Sequence, residues 1–216
     1  MKHQYYADSR DVWKWTALVR LAQQHALRTV LQVAMLTPDD DTSQGSQKSD
    51  PPDADPTVAR FFADERKVVS AEGSLTRIDR VAELGKLCEP PMAIEVVSEP
   101  FRTDGREAYF LGVCRLVDEI GQPTVCFIDP DVGVAKTRPS AKHVTMRELR
   151  RVWDRLIPEA LLVLFQFQWR EKEWIDRARR RFAAALGIAP RTSHEKTSGR
   201  KATLGSTNPE SFDGTA

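Results

Sequence analysis

Asp129-Pro130-Asp131 concentrates more chemistry than any other triplet of this 216-residue chain. It follows five apolar or β-branched residues, Thr124 to Ile128, and precedes Gly133. A short apolar run ahead of a polar turn reads as a strand buried on both faces. In an open α/β sheet, ligands bind beyond the carboxyl ends of the strands, so two carboxylates there stand where sites form. The loop that follows adds Lys136, Arg138, Lys142 and His143. Asp129, Asp131, Lys142 and His143 are therefore the candidate catalytic set. Asp-Pro-Asp-x-Gly is also ordinary turn chemistry, and the sequence leaves both readings open.

A second group lies near the N-terminus. Asp11, Lys14, Trp15 and Leu18 fall at i, i+3, i+4 and i+7, on neighbouring faces of one helix. They are either members of a site or an exposed ion pair beside a core tryptophan, worth about a few tenths of a kcal/mol. Asp39, Asp40 and Asp41 follow another strand and suit a hard cation such as Mg²⁺, or a solvated loop. Carboxylates with a lysine can hold Mg²⁺ and activate water for phosphodiester hydrolysis, with Asp129 and Asp131 as the metal ligands. A carboxylate and a proline at the end of a central strand can instead hold an amine for methyl transfer.

The elements that must position these residues read as alternating helices and buried strands. Helices are predicted over 10–25, 58–86 with a break near 70–75, 107–120, 145–156 and 170–186. Strands are predicted over 29–36, 93–97, 124–128 and 160–167. Thr145 and Glu148 form a capping box, and Gly121 and Gly187 close the helices before them. Four buried strands interleaved with helices imply a three-layer, Rossmann-like α/β sandwich with a mainly parallel sheet and right-handed crossovers. The expected organisation is one domain over 1–188, with a mobile acidic loop at 38–57 and a disordered tail at 189–216.

Composition narrows the classes. The formal net charge is +1 and charged residues make up 29%, so no global field argues for nucleic acid or a membrane surface. No apolar run is long enough to span a bilayer, and the first residues lack the apolar core of a signal peptide. Three cysteines without C-x-x-C spacing argue for reduced thiols, a cytoplasmic location and no structural zinc. Arg147, Arg150 and Arg151 on one helix, and Arg177, Arg180 and Arg181 on another, form faces that can hold a nucleic-acid backbone or simply face solvent. G-x-x-x-x-G-K-[ST], G-x-S-x-G, H-E-x-x-H and a G-x-G-x-x-G after the first strand are all missing from the sequence.

On these motifs the chain resembles class I S-adenosylmethionine-dependent methyltransferases. The likeness is to bacterial ribosomal-RNA adenine-N6 methyltransferases with an N-terminal A-D-V-x-K-H. Asp11-Val12-Trp13-Lys14-Trp15 is similar to D-V-x-K-H, and Asp129-Pro130-Asp131 to that family's D-P-P-Y. The resemblance spans most of residues 5–186. It implies S-adenosylmethionine as cofactor, with Asp11, Lys14, Trp15 and Thr37 lining its pocket and Asp129 orienting a target amine on nucleic acid or a small molecule. The sequence departs in having Trp15 for the histidine, Asp131 and Val132 for Pro-Tyr, and no glycine from Met35 to Asp40. The start and the D-P-D-x-G centre also resemble a group of bacterial proteins to which no activity attaches. Two rival expectations follow. One is a Mg²⁺-dependent nuclease, since Pro130-Asp131 matches the opening of P-D-x(n)-(D/E)-x-K, although Gln166-Phe167-Gln168 stands where (D/E)-x-K belongs. The other is a non-catalytic interaction protein on a degenerate enzyme fold.

Overall fold

A computed structural model describes residues 1–39, 50–72, 78–135, 138–168, 172–188 and 201–206. Five strands form one sheet: β1 (Thr29–Val33), β2 (Ala93–Val97), β3 (Val125–Ile128), β6 (Leu161–Gln166) and β7 (Lys201–Ser206). Two short strands, β4 (Gly133–Val134) and β5 (His143–Val144), pair apart from it. The order across the sheet is β2-β1-β3-β6-β7, and every pairing is parallel. The fold is Rossmann-like, as its alternating pattern implies.

β1, β3 and β6 are buried at every position because both faces are covered, and β3 (VCFI) and the first five residues of β6 (LLVLF) are apolar throughout. The period of two sorts these residues cleanly. Val30, Val125, Phe127, Leu161, Val163 and Phe165 pack on one side. They meet α1 (Ser9–Gln24), α2 (Pro56–Glu72) and α3 (Ala82–Leu87) there. Leu31, Val33, Cys126, Ile128, Leu162 and Leu164 pack on the other. That side is covered by α4 (Arg106–Ile120), α5 (Met146–Arg155) and α6 (Trp174–Leu186). The helices between β1 and β2 lie on one face and those after β2 on the opposite face. Right-handed crossovers require this where the winding direction reverses. The reversal falls between β1 and β3, so the crevice at their carboxyl ends is the topological switch point.

Local signals set the boundaries. Asp8 caps α1 by accepting from the N–H groups of Arg10 and Asp11. The Thr145–Glu148 capping box opens α5. Gly121 and Gly187, both left-handed, close α4 and α6. The first strand is shorter than its apolar run, because Met35 takes a positive φ of 45° and turns the chain out of the sheet. The helical stretch read as 58–86 divides into α2, a 3₁₀ turn at Ile78–Val81 and α3. Within the stretch expected to be a tail, Lys201–Ser206 forms the edge strand β7; its other residues lie outside those described. Of the expected acidic loop, 40–49 also lies outside them, which takes in Asp40 and Asp41. Lys136 lies outside as well. No helix among the described residues is long and apolar enough to cross a membrane.

Candidate functional site

A cleft of ≈ 290 Å³ opens where α1 crosses the carboxyl ends of β3 and β6. At its floor is Lys14, only 8% exposed. Its ammonium donates to both Asp129 oxygens, at 3.1 and 3.0 Å, and to Asp11 Oδ1 at 3.3 Å. It also sits 4.4 Å from the centroid of the Phe165 ring. Asp129 comes from the end of β3, and Asp11 lies one helical turn before Lys14. The pairing therefore joins residues 115 apart in sequence. The alternative of an exposed surface pair is excluded: Asp11 and Asp129 are 2% and 1% exposed.

Electrostatics follow from this burial. For Lys14, burial alone favours the neutral amine, but Asp129, Asp11 and Asp8 outweigh it and its pKa rises above the ordinary lysine value. For Asp11, burial dominates and raises the carboxyl to about 7, with Asp8 and Asp129 adding to the rise and Lys14 opposing it. Burial also raises Asp8, against the pull of Lys14 and two backbone N–H groups. The floor thus carries a lasting positive charge on Lys14 and a carboxyl at Asp11 that titrates near neutral pH.

Asp131 faces the same cleft and is held differently. The Met1 ammonium lies 3.1 Å from Asp131 Oδ1, and Thr37 Oγ1 donates to Oδ2 at 2.8 Å. The Met1 ammonium also donates to the carbonyls of Met35 and Asp129. The turn beyond Asp131 is fixed by Gln166. Its carboxamide donates to the carbonyls of Val132 and Phe167 and accepts from Val134 N–H. Gly133 permits this, with φ of 121° and no room for a Cβ, which would meet Gln166 Oε1 at 2.1 Å.

Of the residues expected to do chemistry, the structure gathers Asp11, Lys14, Asp129, Asp131 and Lys142 around one cleft. Thr37 supports Asp131 from behind. Trp15 does not join them: it is 2% exposed and belongs to the core between α1 and the sheet. Its indole is one residue past the cleft-facing Lys14, so the helix turns it inward. His143 is outside the cleft too. Its Nδ1 lies 2.9 Å from Ser140 Oγ, its carbonyl accepts from Arg106, and burial lowers its pKa with help from Arg106 and Lys142. The arginines expected to grip a nucleic acid lie on α5 and α6, across the sheet from α1. Arg150 pairs with Asp154, Arg151 with Glu107, and Arg181 donates to the Ala135 carbonyl.

Some cleft residues escaped the sequence reading, among them Tyr5, Asp8, Phe165 and Phe167. Asp8 carried a signal, being the side-chain cap before an apolar helix. Phe165 and Phe167 also carried one: alternation puts both on the face of β6 that α1 covers, and Phe167 lies past the strand's last paired residue.

Two kinds of cofactor can be tested against these residues. Among the described residues no group of three or more His, Cys, Asp or Glu side chains is placed to hold a metal ion. Lys14 itself occupies the position between Asp11 and Asp129 that a cation would take. S-adenosylmethionine, in the resembled family, needs an open loop after the first strand. Here that loop stays paired to the chain after β2. Ala34 N–H donates to the Val97 carbonyl and Phe101 N–H to the Leu36 carbonyl, at 2.7 Å, and Leu36 bridges Pro100. Met35 N–H donates to Tyr109 Oη and Thr37 N–H to the Met1 carbonyl. Phe101, 1% exposed, packs against Tyr109 with ring centroids 4.9 Å apart. The amides that would grip a cofactor are committed to this chain, so the residues present do not fit S-adenosylmethionine in that seat.

Neither a protein-family model, a curated protein nor a solved structure matches this chain.

Proposed function

We propose that the protein recognises an amine in this cleft, with the Asp129 carboxylate accepting an amine N–H. The observation that carries the reading is the buried Lys14–Asp129–Asp11 cluster at the switch point. Desolvating three charged groups is costly, and the fold places this cluster beside open space instead of filling it. Asp129 is acceptor-only, and each carboxylate oxygen has a lone-pair direction left after Lys14 is satisfied. Tyr5, Phe165 and Phe167 line the walls, which suits a planar, amine-bearing ring such as an aminopurine.

Methyl transfer to that amine is the second reading. The Asp-Pro-Asp turn at the end of β3 favours it, where the resembled family holds its target amine. The committed amides after β1 count against it. The nuclease reading has less support, because both carboxylates it needs as ligands are engaged by ammonium groups.

The test is a calorimetric titration with adenosine and with inosine, which replaces the exocyclic amine by a carbonyl. The wild-type protein should prefer adenosine by about tenfold or more, the scale of one unmatched buried polar group. In Asp129→Asn the carboxamide oxygen turns toward Lys14, a donor, and leaves its NH₂ facing the cleft. Preference should then pass to inosine. Equal binding of the two nucleosides by wild type would sink the proposal.

A further inference from the structure

The cleft is charged differently at its floor and at its mouth. Of the four lining carboxylates, Asp8, Asp11 and Asp129 are buried, and the partly exposed Asp131 is already held by the Met1 ammonium and Thr37. Among the lining cationic side chains, Lys2 and Lys14 are buried, Arg10 is partly exposed and Lys142 is exposed. The Arg10 guanidinium stands 5.1 Å from the centroid of the Phe167 ring, which fixes it beside the opening. Lys142 is placed by its backbone, whose carbonyl accepts from Val132 N–H at 2.9 Å, and its side chain is not spent on that contact. An amine seated on Asp129 would thus leave its other end among cations.

We propose that the cleft takes a phosphorylated amine, its amine on Asp129 and its phosphate at the mouth with Arg10 and Lys142. This rests on the amine reading above and adds the chemistry of the ligand's second end. A phosphate suits the mouth because it carries about −1.5 to −2 charge and offers several acceptors to a guanidinium fork and an ammonium. A volume of ≈ 290 Å³ accommodates a small molecule, so the ligand is a free metabolite and not a strand. On the opposite side of the sheet, Arg150 and Arg151 of α5 and Arg181 of α6 are engaged within the chain, which agrees with that. Two sources share this chemistry, an aminopurine or aminopyrimidine nucleotide and an aliphatic amine phosphate.

Calorimetry on the full chain separates them. AMP against adenosine, and O-phosphoethanolamine against ethanolamine, report the phosphate; IMP against AMP reports the amine. The expected result is that AMP, O-phosphoethanolamine or both bind about tenfold or more tighter than the unphosphorylated partner, an advantage that shrinks with added salt. Whichever binds names the source. Lys142→Ala, an exposed change, should bring the phosphorylated and unphosphorylated partners close to equal affinity. Equal binding with and without phosphate, or an unaffected Lys142→Ala, overturns the mouth assignment even if the amine is recognised. IMP binding as well as AMP, with the phosphate advantage intact, overturns the amine half and the Asp129 reading with it. No binding by any of these ligands at millimolar concentration overturns the whole.

Discussion

Lys14 gives up its hydration to bridge Asp129 and Asp11, and each partner depends on it. Removing the ammonium leaves two buried carboxylates facing each other. Breaking a buried pair from one side costs about 3–5 kcal/mol, so Lys14→Ala should lower the urea midpoint sharply. A small change would mean that the cluster is open to water. Asp11 sets a pH dependence whose sign is fixed. Its folded pKa, about 7, lies above the ordinary carboxyl range. Its contribution to stability is therefore complete below the unfolded value, about 3.9, and disappears as pH rises through about 7. Urea midpoints measured from pH 4 to pH 8 should fall across that window, and Asp11→Asn should remove this part of the slope. An unchanged slope in the variant would place the titration elsewhere. At this scale the sequence offered Asp11, Lys14 and Asp129 by type and spacing. It could not show that they meet, because the contact spans residues 14 to 129 and is made by the packing of α1 across the sheet.

Elements deliver these side chains through a few unusual backbone positions. Gly133 is one: an added Cβ would strain a φ of 121° and collide with Gln166. Gly133→Ala should cost about 1–3 kcal/mol and displace the turn that carries Asp131, weakening ligand binding more than Lys142→Ala does. Thermal melts and calorimetry on the same variant would show both losses; a stable variant with normal binding would mean that the turn does not shape the cleft. The loop after β1 is the other. Its amides are hydrogen-bonded within the chain, and Phe101 is packed behind it. Equilibrium dialysis should find no binding of S-adenosylmethionine up to millimolar concentration, whereas micromolar binding would show that this loop opens and would restore methyl transfer. The capping box, both glycine stops and the strand at 93–97 were legible because each is set by residues within one turn. The β4–β5 pairing and β7 were not: the former is two residues long on each side, and the latter lies in a stretch whose polar composition reads as unpacked.

For the whole molecule, the strand order places the reversal of winding between β1 and β3, and the cleft lies beside it on the α1 side. Alternation of buried strands and helices made the Rossmann-like sandwich legible, since a parallel sheet covered on both faces leaves buried, largely apolar runs of four to six residues. The resemblance to a methyltransferase drew attention to the end of β3, where the structure has a cleft lined by Asp129 and Asp131. It implied that Asp11 and Lys14 line a cofactor pocket, whereas α1 brings them onto Asp129, with Lys14 bridging the two carboxylates. The location of binding is therefore the claim on which the rest depends. It is tested most directly by mapping backbone amide chemical shifts of the full chain during titration with AMP. The account predicts that the largest shifts fall at Asp8–Lys14, Asp129–Val132 and Phe165–Phe167. Shifts confined to residues 34–37 and 98–102, or none at all, would contradict it.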